Sequence, residues 1–183
     1  NVAYNSVEYF DATTSSNGQD FGNLSQAKYG CAACSDATRV LFGGGNNESG
    51  GQNDIDYFTI DTLSDSSDWG NLTNTKDYMG SCSNGTRGLW GGGNSSSKVI
   101  QYITFASTSD ASSFGFLDVH EGVYGLCGLG NETRGIFAGG LDGNSVSTNI
   151  DYVAYDTAAD ATNFGSLNEG HYDSPGGSSG NAS

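Results

Sequence analysis

Three stretches decide the fold: Thr38-Arg39-Val40-Leu41-Phe42-Gly43-Gly44, Thr86-Arg87-Gly88-Leu89-Trp90-Gly91-Gly92 and Thr133-Arg134-Gly135-Ile136-Phe137-Ala138-Gly139-Gly140. Each is a Thr-Arg pair, a short apolar run and a glycine cluster. Working outward, an aromatic-Gly-x-Leu segment follows each one: Trp69 to Leu72, Phe114 to Leu117 and Phe164 to Leu167. A fourth, Phe21 to Leu24, precedes the first. A tyrosine stands twelve residues before each aromatic: Tyr9, Tyr57, Tyr102 and Tyr152. So many matches in one register define an internal repeat of ~48 residues, the signature of a repeat architecture.

Each unit reads as short strands. One ends in the glycine cluster, and the next carries Ile55-Asp56-Tyr57-Phe58-Thr59-Ile60 or its equivalent. A third lies at the aromatic-Gly-x-Leu, and a fourth runs through Tyr78 to Ser83. Strand residues alternate between faces, so Ile55 and Tyr57 point one way and Phe58 and Ile60 the other. Both faces are apolar and both need cover. A four-stranded sheet covered on each face by copies of itself is the blade of a propeller.

Composition agrees. Gly accounts for 29 of the 183 residues, Pro for one, and the aromatics are two Trp, ten Tyr and nine Phe. Scarce helix formers and short β-rich runs between Gly- and Asn-rich stretches read as all-β. Twenty-one acids against six bases give a net charge of −15. That argues against nucleic-acid partners, which need Lys and Arg clusters, and against docking on anionic lipid. No apolar run approaches the ~18 residues of a membrane-spanning helix. The chain begins with Asn1 rather than Met, which reads as processed or trimmed.

The repeat resembles the kelch family. There a strand ends in a double glycine, as Gly43-Gly44, Gly91-Gly92 and Gly139-Gly140 do here. A Tyr strand follows, then a Trp, matched by Trp69 with Phe21, Phe114 and Phe164 in its place. A basic residue then leads the innermost strand: Lys28, Lys76 and His171 fill that position, and Glu121 breaks it. The Tyr-to-aromatic spacing is longer than the family's, so the chain is kelch-like. The combination of Ile-Asp-Tyr, Phe-Gly-x-Leu and Thr-Arg-Gly is also similar to repeats of marine bacteriophage virion structural proteins.

The repeat spacing, with the two termini joined, predicts one propeller domain over residues 1–183, of four ~48-residue, four-stranded blades. The expected units are about 1–24 plus 168–183, then 25–72, 73–117 and 118–167. The last blade is expected to close with the N-terminal strand. Asn1 to Tyr4 would align with Arg39 to Phe42, so that Tyr4 takes the place of Phe42. Asn5-Ser6 would form a tight hairpin, and the tail from Asn168 would supply the innermost strand. A segment of a longer propeller is the alternative.

Few residues suggest chemistry. Arg39, Arg87 and Arg134 share one repeat position, where a planar guanidinium can tie a strand end to carbonyls of a neighbouring blade. A positive ring for an acidic ligand is the sharper reading. Among four cysteines, Cys34 and Cys82 align, and Cys127 joins them if two residues are inserted in the turn that follows it. Buried small thiols fit better than a metal or redox site, because Cys31 and Cys34 on one strand would face opposite ways. No catalytic or metal-spacing motif surrounds His120 or His171, and no nucleophile elbow or phosphate loop appears. The expectation is therefore no enzyme and no cofactor. Weak Ca²⁺ binding by the acidic loop of Asp65 and Asp68, or its looser equivalents with Asn17, Asp20, Asp110 and Asp160, stands beside a plain solvated turn. Sequons start at Asn23, Asn47, Asn71, Asn84, Asn94, Asn131 and Asn181, glycan sites only in a eukaryotic secreted protein.

The expected function is a non-enzymatic virion or extracellular module for structure or adhesion. Its binding surface would be the variable polar loops after the glycine clusters: Asn46 to Asn53, Asn94 to Lys98 and Leu141 to Thr148. Within them Asn46, Asn47, Glu48, Asn94, Ser95, Asp142 and Asn144 are the candidate contacts. Partners would be other virion or cell-surface proteins. A lectin-like binder of surface glycans is the alternative, lowered by the absence of aromatics from those loops.

Overall fold

The computed structural model describes residues 2–94, 97–119 and 122–173. Among these there are strands and turns and no helix. In chain order the strands are β1 (Tyr4–Tyr9), β2 (Gln19–Lys28), β3 (Ala32–Ser35), β4 (Arg39–Gly43), β5 (Asn46–Asn47), β6 (Gly50–Gly51), β7 (Asp54–Thr59) and β8 (Ser67–Asn71). Then come β9 (Gly80–Ser83), β10 (Arg87–Gly91), β11 (Val99–Thr104), β12 (Ser112–Phe116), β13 (Val123–Tyr124) and β14 (Cys127–Gly130). The last are β15 (Arg134–Ala138), β16 (Leu141–Asp142), β17 (Ser145–Val146), β18 (Asn149–Ala154) and β19 (Thr162–Ser166).

Three four-stranded antiparallel sheets carry the repeat, ordered β3-β4-β7-β8, β9-β10-β11-β12 and β14-β15-β18-β19. Each is a meander, and each opens with the strand that leads into Thr-Arg. The stretch expected through Tyr78 to Ser83 is thus the first strand of the second sheet, β9. The hairpin β1-β2 precedes the first sheet. Its Tyr9 and Phe21 rings meet edge-on at 5.7 Å, as Tyr57 and Trp69, Tyr102 and Phe114, and Tyr152 and Phe164 do. The hairpin therefore matches only the outer two strands of a sheet.

That register corrects the expected N-terminus. Tyr4 does not take the place of Phe42: it pairs with Lys28 at the start of β1 and is 67% exposed. Asn5-Ser6 lies inside β1, at a register irregularity, and forms no turn. A two-residue hairpin favours Gly or Asn-Gly at positive φ, which Asn5-Ser6 lacks. No closed propeller is formed among the described residues. The tail residues 174–183, assigned to an innermost strand, lie outside them, and Asn168 to Asp173 form no strand.

The sheets stack in repeat register. Ser81 and Ser83 hydroxyls donate to the Ala33 and Ser35 carbonyls at 2.7 Å, and the Asn84 amide donates to the Glu132 carbonyl at 3.0 Å. Two apolar clusters fill the seams. One joins Leu41, Ile55 and Trp69 to Trp90, Ile103 and Phe105; the other joins Leu89, Ile100 and Phe114 to Phe137, Val153 and Tyr155. Phe21 reaches Phe58 edge-on at 5.4 Å across the seam between hairpin and first sheet.

Glycines are placed by these seams. A Cβ on Gly43 would stand 2.9 Å from the Trp90 ring, and one on Gly91 as near to Phe137. A main-chain thread also links the units. Tyr78 N–H donates to the Gly30 carbonyl, Gly125 N–H to Tyr78 and Asp173 N–H to Gly125, at 2.7, 2.8 and 2.7 Å. All four residues hold positive φ, 64°, 54°, 66° and 54°, so the thread joins structurally equivalent positions.

The thread also fixes the third unit's alignment. Gly45, Gly93 and Gly140 N–H groups donate to the carbonyls of Lys76, Val123 and His171. The basic position of that unit is thus held by Val123, and Glu121 lies outside the described residues. The two extra residues precede Val123, so Cys127 does not align with Cys34 and Cys82. Leu129 takes that place: it pairs with Ile136 as Cys34 pairs with Leu41 and Cys82 with Leu89.

Candidate binding face

Strands β4, β10 and β15 all run from a Thr-Arg turn to a glycine cluster, so the loops after the clusters emerge from one end of the stack. The first and third of these loops form the hairpins β5-β6 and β16-β17. Asn46 and Asn47 face inward from the first. The Asn46 amide donates to Asp77 at 2.8 Å and the Asn47 amide to Gln26 at 2.8 Å. Glu48 and Ser49 are left exposed at the tip. Asn94 N–H donates to the carbonyl of the same Asp77, which thereby joins the first loop to the second. Ser95 lies outside the described residues.

The third loop pairs with β13, making a small three-stranded sheet. Asp142 is partly buried and Asn144 exposed. Asp142, Asp118, Ser147, Thr148, Asn149 and Asn163 line a polar cleft of about 490 Å³. Tyr172 lies near this hairpin and is half exposed; Gly170 packs against Val146. The structure thus brings Glu48 and Asn144 to the surface, and turns Asn46 and Asn47 into framework.

At the opposite end the Thr-Arg turns are closed by Asx caps. Asp36 Oδ1 accepts from the N–H groups of Thr38 and Arg39, and Asn84 and Asn131 do the same for their turns. Arg39 reaches across the seam to the Phe105 carbonyl at 2.5 Å, and Arg87 donates to the Tyr155 carbonyl. Each guanidinium also lies over its own sheet's aromatic, Arg39 over Trp69 and Arg87 over Tyr102 at 5.0 Å, Arg134 over Tyr152 at 4.6 Å. A cleft of about 630 Å³ between the second and third sheets is lined by Arg87, Glu132, Arg134 and Asp156, among others.

The acidic loops are committed to the seams. Asp65 Oδ1 accepts from Asn23 N–H at 2.9 Å, Asp110 from Asn71 at 2.8 Å and Asp160 from Phe116 at 3.0 Å. Asp68 caps Gly70 N–H at 3.1 Å. Among the described residues, no group of three or more His, Cys, Asp or Glu is placed to hold a metal ion. The signal that could have found the clasp was the fixed offset of each acid, four residues before its aromatic.

One repeat position carries an electrostatic series. Asp56 is buried, with the enclosed Lys28 ammonium 3.1 Å away; Lys28 also bonds Asp54 at 2.6 Å. The next unit has neutral Gln101, whose side-chain oxygen accepts from Thr73 N–H and hydroxyl. Its Lys76 is buried, which pulls the ammonium pKa down, while Asp77 partly offsets this. The third has Asp151, with Val123 where the lysine would stand. Burial pushes the Asp151 carboxyl up to about 6, against the Asp118 N–H bond that favours its charged form; the Asp118 charge adds to the rise.

All four cysteines are free thiols. Burial drives Cys34 well above the usual thiol range and Cys82 up to about 12. Compared with known proteins, the chain matches no family model and no curated protein.

Proposed function

We propose that this chain is a non-enzymatic structural or adhesion module of a virion surface or extracellular space. Its stacked units would be blades of a kelch-like propeller arrangement, with the N-terminal strands contributing to the fourth. One observation carries the reading: loops of different sequence leave one end of stacked sheets that repeat closely. A rigid stack presenting variable polar tips is the usual division of labour in binding scaffolds. The charge of −15 keeps displayed copies soluble and apart. Among the described loop residues, Glu48, Ser49, Asn144 and Ser145 are exposed tips that would touch other virion or cell-surface proteins.

The half-exposed Tyr172 beside the third loop favours one second reading, a lectin-like module, because sugar rings stack on aromatic faces. Intact-mass and peptide mass spectrometry of native material separates the two. Bare mass with co-purifying coat proteins supports the virion reading. Sugar on the sequons turns it to a secreted, lectin-like protein. Partner binding unchanged after all three loops become Gly-Ser linkers of equal length would overturn both.

A further inference from the structure

Every internal seam uses the same parts. The aromatic of the Gly-x-Leu strand is covered by the next sheet: Trp69 and Phe114 are buried. The adjacent Gly22, Gly70 or Gly115 lies under the loop main chain at Ser64, Ser109 or Ala159, so that a Cβ on Gly70 would stand 2.8 Å from Ser109. Asp65, Asp110 or Asp160 of that loop then clasps the strand's amide.

At one end of the stack half of this seam stands open. Phe164 is 52% exposed, and a Cβ on Gly165 would meet nothing within 4 Å. At the other end stands the missing half. Phe10 occupies the position of Phe58, Ile103 and Val153, which are all buried, yet it is 71% exposed. Ser16 and Asn17 of the β1-β2 loop hold the positions of Ser64 and Asp65.

The third sheet is also cut for such a partner. Gly43 and Gly91 make room for an aromatic of the next sheet's second strand, but the third sheet has Ala138 there. Cys34 and Cys82 fit over Gly88 and Gly135 of the next second strand, but the third sheet has Leu129. Both changes fill space that a following second strand would need. The hairpin has only outer strands, so it brings no second strand to that place. In this same structure the hairpin packs on the first sheet, and among the described residues nothing covers Phe164 and Gly165 of the third.

We propose that the open face of the third sheet binds the N-terminal hairpin of a second copy of this chain, joining copies head to tail. The contact is heterologous, so it propagates until a ring closes or a filament forms. It rests on the equivalence of the units and not on the loops' binding role, so replacing only the exposed tip residues Glu48, Ser49 and Asn144 leaves assembly unchanged.

Sedimentation velocity of the full chain, Phe164→Asp and Phe10→Asp across a wide concentration range tests this. The parent is expected to grow with concentration, and each variant alone to stay single. An equal mixture of the two variants restores one intact pair of faces, so it gives dimers and nothing larger. A parent that stays single while both variants lose thermal stability would mean closure by the chain's own hairpin and would overturn the proposal. A single-copy parent with variants of unchanged stability would overturn it too, as would parent oligomers that both variants still form.

Discussion

Cys34 Sγ lies against Gly88 of the next sheet so closely that a Cβ there would stand 2.5 Å from the sulfur, and Cys82 meets Gly135 in the same way at 2.6 Å. Thiol and glycine form one unit across each seam. Gly88→Ala is therefore expected to cost about 1–3 kcal/mol by overpacking. Cys34→Ala removes the obstacle, so the double variant should lose less than the sum of the single losses. Urea denaturation of all four proteins gives the coupling. Strict additivity would show that the sulfur is not what excludes the methyl group.

Asp151 should make stability depend on pH. Its pKa, about 6, lies above the ~3.9 of an unfolded aspartate. The native state thus holds the proton more tightly, and stability gained as pH falls through 6 towards 4 is lost as pH rises through 6. Asp151→Asn should stabilise the protein at pH 7 by about 1–3 kcal/mol and make no difference below about pH 4. Denaturation midpoints at pH 4 and 7 check both halves. A variant less stable than the parent at pH 7 contradicts the assignment.

Lys28 is the opposite case, a buried cation between Asp54 and Asp56. Lys28→Met leaves Asp56 buried without its counter-charge, and should cost about 3–5 kcal/mol. Pairing it with Asp56→Asn should recover part of that loss, since Gln101 shows that an uncharged amide suits this position. Thermal melts of the single and double variants measure the recovery.

Thiol accessibility should divide the cysteines two and two. Cys31 and Cys127 are partly exposed, while Cys34 and Cys82 are buried with strongly raised pKa values. Native protein treated with a disulfide reagent at pH 8 should release two equivalents slowly and the rest only on unfolding. Peptide mapping identifies which two. Rapid labelling of Cys34 or Cys82 would show that the seams open readily.

The period and its strands could be read in the sequence because seam and turn positions tolerate so few residues. Gly43 must pass Trp90, Gly91 must pass Phe137, and Asp36, Asn84 and Asn131 must cap the Arg turns. The N-terminus misled because Tyr4 resembles Phe42 in type, while the Tyr9 to Phe21 spacing carries the true register. The third unit misled because two inserted residues could stand on either side of Cys127, and only main-chain pairing places them before Val123. Inward-facing Asn46 and Asn47 were hidden for a related reason: their partners Asp77 and Gln26 lie far off in sequence.

The hydrogen-bonded thread through Gly30, Tyr78, Gly125 and Asp173 has a direction. Each donor lies about one unit after its acceptor in the chain, and never before it. During synthesis each unit therefore leaves the ribosome to find its template already in place. Among the described residues the cross-seam bonds join a unit to its neighbour, the Arg39–Phe105 and Arg87–Tyr155 bonds reaching 66 and 68 residues along the chain, which keeps the search for each seam between adjacent units. Folding can then proceed as vectorial growth, without waiting for the two ends of the molecule to meet.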